Sequence, residues 1–256
     1  MKTYPCILCI GGLDPSGGAG IQADIETVSA LGGRALTLVT ALTAQDSHDI
    51  TAVQTVSTRF FSAQLELLMR DMRPDAIKIG LLGSVDLIPV VRDLLQGFEG
   101  PVVLDPVLAT GGGFDLDTGD LGQAMLDQLV PLTGLITPNR SEARRLGGHP
   151  DTDQAVQKIL QAGANAILLT GADEASGDQV TNRLFRADTP PRSFNWPRLP
   201  HRYHGSGCTL ASACATRLAL GDGLTEAVET AQHFTLDALR RADRPGGGQW
   251  LPRRLP

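Results

Sequence analysis

The sequence lacks several features that would assign it to a broad class of protein. It has no apolar run that approaches the ~20 residues needed to span a membrane, and residues 1–5 lack the apolar stretch of a signal peptide. It also lacks an excess of basic residues, because 22 Lys and Arg stand against 28 Asp and Glu, a formal net charge of -6. Binding to a nucleic-acid backbone requires a basic surface. We therefore expect a cytoplasmic protein with no membrane or nucleic-acid partner.

Cysteine is also scarce, with four in 256 residues. Cys6 and Cys9 form a CxxC pair, which could suggest a zinc or redox site. The pair lies in the apolar run 6–10, and two strand residues at an odd separation point to opposite faces of a sheet. Because they cannot share one metal ion, we interpret both as small structural side chains.

Short apolar segments alternate with helical patterns along the chain. The candidate strands are residues 6–10, 35–40, 76–80, 102–104, 135–137 and 166–170. The candidate helices are residues 21–31, 58–72, 84–95, 151–162, 208–220 and 225–241. Most candidate strands are apolar on both faces, which is typical of a parallel sheet covered by helices on both sides. The more polar residues 180–194 are interpreted as edge strands or a hairpin. The whole pattern predicts one α/β domain spanning residues 1–256.

A glycine-rich loop follows the first candidate strand. Residues 11–20 include five glycines, so the backbone can approach a ligand closely at the carboxyl end of a strand, where open α/β sheets bind ligands. The loop matches neither a Walker A sequence nor the tight GxGxxG turn. It is either a binding loop or a permissive turn, and we favour the binding loop.

A second glycine-containing turn precedes the candidate helix 208–220. Gly205, Ser206, Gly207 and Cys208 would place unpaired N–H groups at the positive end of a helix dipole, where anions bind. The same field favours a thiolate at Cys208, so this thiol could serve as a base or a nucleophile. The alternative is a glycine-flanked helix start with a buried cysteine.

Polar side chains follow three other candidate strands. Gln45 follows the second, Asp105 follows the fourth, and Asn139 and Glu142 follow the fifth. Because these strand ends would open onto one face, the two carboxylates suit Mg²⁺, which takes only one or two protein oxygens. Gln45 has both a donor and acceptors and suits the edge of a heterocycle. Each of the other three could instead be a helix cap or turn residue.

An ordered set of segments carries a resemblance to a known family. The segments are residues 12–24 (GLDPSGGAGIQAD), 40–45 (TALTAQ), 78–82 (KIGLL), 103–107 (VLDPV), 137–143 (TPNRSEA) and 204–212 (HGSGCTLAS). Together they resemble the hydroxymethylpyrimidine/phosphomethylpyrimidine kinases of thiamine biosynthesis, in the ribokinase-like superfamily. The closing residues 245–256 are similar to a proteobacterial branch of that family. The resemblance implies a ribokinase-like α/β fold with a mostly parallel central sheet and helices on both faces.

The resemblance further implies an ATP- and Mg²⁺-dependent phosphotransferase. Such an enzyme would phosphorylate the small molecule 4-amino-5-hydroxymethyl-2-methylpyrimidine, and then convert the resulting monophosphate to the diphosphate. Phosphoryl transfer asks mainly for positioning and charge neutralisation. Family members are commonly dimers, so a homodimer is the implied assembly.

The resemblance also implies roles for individual residues. The amides that would hold the transferring phosphoryl group, with the thiol in the place of the catalytic base, belong to Gly205, Ser206, Gly207 and Cys208. The residues that would line the substrate pocket are Gln45, Gly11, Asp24 and Val107. The residues that would face the nucleotide are Asn139 and Thr170, and those that would hold Mg²⁺ through water are Asp105 and Glu142.

The chain departs from the family pattern where many members carry lysine. Thr170 stands at one such position, and residues 109–113 lack the lysine often found after the Asp-Pro-Val turn. Lys78 and Arg140 are the candidate replacement cations. The departures leave open a pyrimidine-binding protein with vestigial catalysis.

A kinase for pyridoxal or pyridoxine is also left open, because some cysteine-bearing relatives accept B6 vitamers. Related pyridoxal kinases generally carry Asp at the position of Cys208, however, which favours the pyrimidine. The glycine-rich residues 11–20 and 111–119 are the candidates for motion coupled to ligand binding.

Overall fold

The computed structural model describes residues 4–109, 120–173 and 177–255. The strands are β1 (Cys6–Leu13), β2 (Arg34–Gln45), β3 (Ile50–Thr55), β4 (Ala76–Ile79), β5 (Val102–Leu104), β6 (Leu135–Ile136), β7 (Ala166–Leu169), β8 (Gln179–Arg186) and β9 (Thr189–Pro197). The helices are α1 (Gly20–Ala30), α2 (Thr58–Asp71), α3 (Ile88–Gln96), α4 (Leu121–Gln128), α5 (Arg140–Leu146), α6 (Thr152–Gln161), α7 (Ser206–Ala219) and α8 (Leu224–Arg240). Residues 111–119, one of the two segments predicted to move on ligand binding, lie outside the described residues.

Within the described residues the strands form one sheet in the order β3-β2-β1-β4-β5-β6-β7-β8-β9. Six adjacent strands of this sheet are parallel, namely β2, β1, β4, β5, β6 and β7. β3 at one edge, and β8 and β9 at the other, pair antiparallel. All residues of β4, β5 and β7 are buried, because helices cover both faces. The predicted α/β class with a mostly parallel sheet is confirmed.

Two hydrophobic clusters lie on opposite faces of this sheet. One contains apolar residues of α2 to α6, and the other contains apolar residues of α1, α7 and α8. Cys6 packs against the first cluster and Cys9 belongs to the second, and both are free thiols. The interpretation of this pair as structural residues on opposite faces is confirmed.

The edges of the sheet differ most from the sequence prediction. β2 continues five residues beyond its predicted end at residue 40 and pairs with β3, which was not predicted. Gln45 is therefore the last residue of a strand rather than a residue beyond it. At the other edge, the predicted hairpin is confirmed by β8 and β9. Pro190 and Pro191 lie on β9, the edge strand, where a missing N–H is tolerated.

The helix predicted over residues 84–95 begins as an α-helix later than the sequence predicts. Residues Val85–Leu87 form a 3₁₀ turn, which Ser84 caps by accepting from the Asp86 N–H at 3.1 Å, and α3 follows. A proline in the first turn of α3 suits this junction, since its missing N–H would be unpaired there.

Among the described helices, none combines the length and the apolar character that crossing a bilayer would demand.

Candidate functional site

A cavity of about 890 Å³ opens at the carboxyl ends of the parallel strands. This is the edge at which open α/β sheets bind ligands. The predicted site residues that line it are Gly11, Gln45, Asp105, Val107, Asn139, Glu142, Thr170, Gly205, Ser206, Gly207 and Cys208. The fold therefore brings together in one cavity residues that lie up to about two hundred positions apart in the chain.

The turn before α7 has the geometry of an anion site. Gly205 adopts a left-handed conformation with φ 81°, and α7 begins at Ser206 with no side chain capping it. The backbone amides of the first turn are thus left without intrahelical partners. A Cβ on Gly207 would lie 3.7 Å from the Asp105 carboxylate, so the turn directly faces that side chain. A phosphoryl group bound here would meet both the amides and the end of a 14-residue helix dipole.

Cys208 does not have the lowered pKa that its place in the helix suggested. Burial raises its pKa, the carboxylates of Asp105 and Asp24 raise it further, and the Lys78 ammonium only partly opposes them. The result is a pKa of about 11. The expectation of a thiolate at Cys208 is therefore wrong for this site without ligands, because desolvation and the neighbouring carboxylates disfavour the charged form.

Asp105 and Glu142 form a pair of carboxyl groups that are nearly inaccessible, with 4% and 8% exposure. Burial raises the pKa of Asp105 to about 6, against the opposing effect of Lys78. Burial and the nearby Asp105 raise the pKa of Glu142 well above its usual range. Two mutually repelling carboxyl oxygens fit a hard divalent cation that keeps most of its waters. No group of three or more ligating side chains is found in the described part of the chain.

Asn139 begins α5 through a reciprocal cap. Its side chain accepts from the Glu142 N–H at 2.9 Å, and Glu142 Oε2 accepts from the Asn139 N–H at 2.9 Å. Thr170 lies beside it, since the two residues form a parallel bridge and Thr170 N–H donates to Pro138 O at 2.9 Å. The cap that the sequence left as an alternative is therefore present, and both residues still line the cavity.

Asp24 corrects the sequence prediction. Its side chain is fully buried behind the cavity wall and does not line the cavity. Lys78 Nζ lies 2.8 and 3.1 Å from its two oxygens, and Ser212 Oγ donates to it at 2.7 Å. The prediction that Asp24 lines the substrate pocket is wrong, because the buried lysine draws this carboxylate into the core.

The two candidate replacement cations also differ from expectation. Lys78 lines the cavity, but its charge is matched by Asp24. Arg140 is not among the lining residues, whereas Arg145 and Arg198 are. Arg198 lies after β9, and its Nε donates to Gly177 O at 3.0 Å.

A group of three polar side chains at the substrate end was missed in the sequence. His204 Nε2 lies 2.8 Å from Asp14 Oδ2 and 2.9 Å from Gln45 Nε2. Burial alone would raise the pKa of Asp14, but hydrogen bonds from His204 and Ser16 outweigh it and lower the pKa to about 2. The signal that was available is positional, since Asp14 and His204 each lie within a glycine-containing segment already assigned to binding.

The opposite end of the cavity carries a polar cluster that no local pattern indicated. Gln232 Oε1 accepts from Asn182 Nδ2 at 2.9 Å and from Trp196 Nε1 at 2.8 Å. Asn182 Oδ1 in turn accepts from the Gly171 N–H at 3.0 Å. The cluster joins β8, β9 and α8, which meet only in the folded chain.

Comparisons with known proteins show which enzymes this chain is similar to. The chain is 36% identical over 248 residues to the hydroxymethylpyrimidine/phosphomethylpyrimidine kinase of Rhizobium meliloti, covering 94% of this chain and 93% of that protein. The pyridoxal kinase of Staphylococcus aureus, solved with pyridoxal and with ADP, superposes with a TM-score of 0.90 and 27% identity, covering 99% of this chain and 94% of that one.

A phosphomethylpyrimidine kinase from Clostridium difficile superposes with a TM-score of 0.78 and 30% identity, covering 93% of this chain and 100% of that one. The sequence profile of a family described as phosphomethylpyrimidine kinase matches residues 14–252. The match extends from within the first glycine-rich loop into the C-terminal tail, so it includes most of the residues that line the cavity. This chain belongs to the phosphomethylpyrimidine kinase family.

Proposed function

We propose that this protein transfers phosphoryl groups from ATP to 4-amino-5-hydroxymethyl-2-methylpyrimidine and then to its monophosphate, forming the diphosphate used in thiamine biosynthesis. The observation that carries the proposal is the uncapped, left-handed turn at Gly205, which faces Asp105 inside one cavity. A binding protein would not need an anion site next to a pair of buried carboxylates. Membership of the kinase family supports the same reading.

In this proposal, the substrate lies at the end of the cavity formed by Gln45, Gly11 and Val107. Gln45 would pair with the pyrimidine edge, because an amide offers both a donor and an acceptor. The His204 ring, 2.9 Å from the Gln45 amide nitrogen and held by Asp14 at 2.8 Å, would limit the orientations open to that amide. Such restricted orientation is what places a hydroxymethyl group for attack.

The amides of Gly205, Ser206, Gly207 and Cys208 would hold the transferring phosphoryl group. Bound Mg·ATP would supply that group, and its metal ion would supply the positive charge that neutralises the two carboxylates. Asp105 and Glu142 would hold the metal through water. Asn139 and Thr170 would face the nucleotide phosphates from the next strand ends. A similar kinase solved in complex with ADP supports binding of a nucleotide.

Cys208 would act as the base that takes the hydroxyl proton. With a pKa of about 11, its thiol is protonated at neutral pH in the site without ligands. The residue can therefore accept a proton only in the loaded site, where added positive charge lowers the pKa of a neighbouring thiol. This requirement couples deprotonation to nucleotide binding.

The protein's assembly and location are also proposed here. The family resemblance supports a single domain over residues 1–256, a homodimer and a cytoplasmic enzyme. Light scattering of the purified protein tests the dimer, which predicts twice the chain mass of 27.1 kDa.

A second candidate function is phosphorylation of pyridoxal. The superposition on a pyridoxal kinase solved with pyridoxal, at a TM-score of 0.90, favours it. The cysteine at position 208 favours the pyrimidine instead. The two substrates share a ring of similar size with a hydroxymethyl group, so the fold alone does not separate them.

The test is ADP formation from Mg·ATP with the pyrimidine, its monophosphate and pyridoxal in parallel, with the products identified by mass. We expect the pyrimidine diphosphate as the main product. Cys208→Ala should lower turnover sharply while pyrimidine binding by calorimetry stays near wild type, and Cys6→Ala, which removes a thiol far from the cavity, is the matched control. Pyridoxal phosphate as the sole product would move the function to vitamin B6, and turnover of none of the three would refute the kinase proposal.

A further inference from the structure

The C-terminal tail, residues 243–255, lies against the substrate end of the cavity. The His204 N–H donates to Trp250 O at 2.9 Å, which ties the tail to the segment that enters the phosphoryl-binding turn. The Gln249 N–H donates to Ser47 O at 2.7 Å in the connection between β2 and β3. The tail thus joins two segments that surround the cavity, although it lies far from both in sequence.

Arg254 anchors the end of this tail. Its side chain is nearly inaccessible, with 2% exposure, and each of its guanidinium nitrogens has a different partner. Nε donates to Thr209 Oγ1 at 2.8 Å, Nη1 donates to Glu26 Oε2 at 3.1 Å, and Nη2 donates to Gly18 O. These partners belong to α7, to α1 and to the first glycine-rich loop. A planar guanidinium held by three groups has a fixed orientation.

Two of these partners stand directly behind Gly205. Thr209 Oγ1 also donates to the Gly205 carbonyl at 2.8 Å. A Cβ on Gly205 would overlap the Gly18 carbonyl, so the backbones of the loop and the turn touch at this point. Arg254 therefore holds both groups that set the left-handed conformation of Gly205, and with it the direction of the amides that follow.

We propose that Arg254 is a positioning residue for phosphoryl transfer. By fixing Gly18 and Thr209, it orients Gly205 and presents the first-turn amides of α7 to the transferring group. Because the charge of Arg254 is matched by Glu26, the residue acts through geometry and not as a ligand of phosphate. The inference rests on the proposed function for the identity of the bound group, and it adds a role for Arg254, which is not among the residues that line the cavity.

The main test compares Arg254→Met with Arg253→Met, which alters the exposed neighbouring arginine. Loss of hydrogen bonds made by a charged group predicts a fall in kcat of about 10- to 100-fold for Arg254→Met. The KM for the pyrimidine should change by less than about twofold, since the interaction serves the transition state and not ground-state binding. Arg253→Met should behave like wild type.

A second measurement reports geometry without relying on activity. Amide hydrogen exchange at His204 and Thr209, whose N–H groups donate to Trp250 O and Gly205 O, should be about tenfold faster in Arg254→Met than in Arg253→Met, because the turn has lost its support. Equal kcat and equal exchange in the two variants would overturn the proposal. If wild type turns over no substrate while the exchange difference is present, the proposed function fails, and the finding that Arg254 orients the Gly205 turn stands.

A further pair of variants keeps the idea testable if Arg254→Met does not fold. Thr209→Val removes the hydroxyl that links Arg254 to Gly205, and Thr216→Val removes a hydroxyl of the same helix that donates to Ser212 O at 2.8 Å. Both threonines are fully buried. We expect the kcat of Thr209→Val to be about tenfold below that of Thr216→Val. Equal rates would refute the link from Arg254 to the turn.

Discussion

The buried ion pair behind the cavity should make the protein strongly sensitive to loss of one charge. Lys78 Nζ lies 2.8 Å from Asp24 Oδ1, and the side chains are 1% and 0% exposed. Lys78→Met leaves the Asp24 carboxylate buried without its cation, while the Ser212 hydroxyl still donates at 2.7 Å. One hydrogen bond does not replace a full charge, so the variant should unfold more easily.

The expected size of the effect follows from the distance and the burial. At about 3 Å and an effective dielectric constant of about 20, the attraction is roughly 6 kcal/mol. Desolvation offsets much of this, yet removal of one partner of a buried pair costs about 3–5 kcal/mol. At about 2–4 °C per kcal/mol for a chain of this size, Tm should fall by roughly 6–20 °C. The double variant Lys78→Met, Asp24→Asn should recover much of the loss, because the Asp24 site then holds no charge that needs Lys78.

Differential scanning calorimetry at pH 7.5 of wild type, both single variants and the double variant measures the coupling. We expect the loss in the double variant to be smaller than the sum of the single losses by about 2 kcal/mol or more. Strictly additive losses, or a Tm of Lys78→Met within about 2 °C of wild type, would refute the view that this pair is a buried, mutually dependent unit.

Gly205→Ala should lower kcat about 100-fold, because φ is 81° and a Cβ would overlap a backbone carbonyl. Steady-state kinetics tests this prediction. The control is Gly223→Ala, since Gly223 has φ -65° and a Cβ there would lie in open space. Asp105→Asn should raise Tm at pH 7 while abolishing turnover, since wild type must keep this buried carboxyl ionised above its pKa of about 6. Asp24→Asn should lower the pKa of Cys208, because a carboxylate is removed while the lysine remains; the pH dependence of alkylation, followed by mass spectrometry, measures it.

Each of these predictions has a contrary outcome. Gly205→Ala with the kinetics of Gly223→Ala would mean that the turn does not orient the phosphoryl group. The Tm advantage of Asp105→Asn should shrink as the pH falls below about 6 and be gone near the ordinary value of 3.8, so an advantage that is constant with pH would have another origin. An unchanged alkylation profile in Asp24→Asn would contradict the electrostatic account of Cys208.

Local patterns were sufficient for much of the fold. Central strands such as β4 and β7 are covered on both faces, so they are continuously apolar and stand out in the sequence. Parallel strands end at one edge, so side chains that follow them, such as Asp105 and Asn139, were predictable neighbours. β3 was missed because it is polar and its residues are mostly exposed or half-buried, and edge pairing depends on a partner and not on its own pattern.

The direction of a polar side chain was harder to predict than its position. Asp24 was assigned to the pocket from its motif, yet Ile21 and Val28 share its buried stripe on α1 at helical spacing. That spacing was a readable sign that Asp24 faces the core. Its partner Lys78, however, lies 54 residues away on the neighbouring part of the sheet, and only folding shows that the two meet.

The sequence by itself determined the parallel α/β sheet, the glycine turns and the set of strand-end residues. The sheet follows from burial on both faces, the turns from the backbone freedom of glycine, and the strand-end set from the common direction of parallel strands. Only the tertiary structure decided the electrostatics and the support of the site. The pKa of Cys208 depends on carboxylates from two other elements, and Arg254 reaches Gly18 across 236 positions of sequence. Charge interactions and hydrogen bonds act through space over a few ångströms, and distance along the chain carries no information about them.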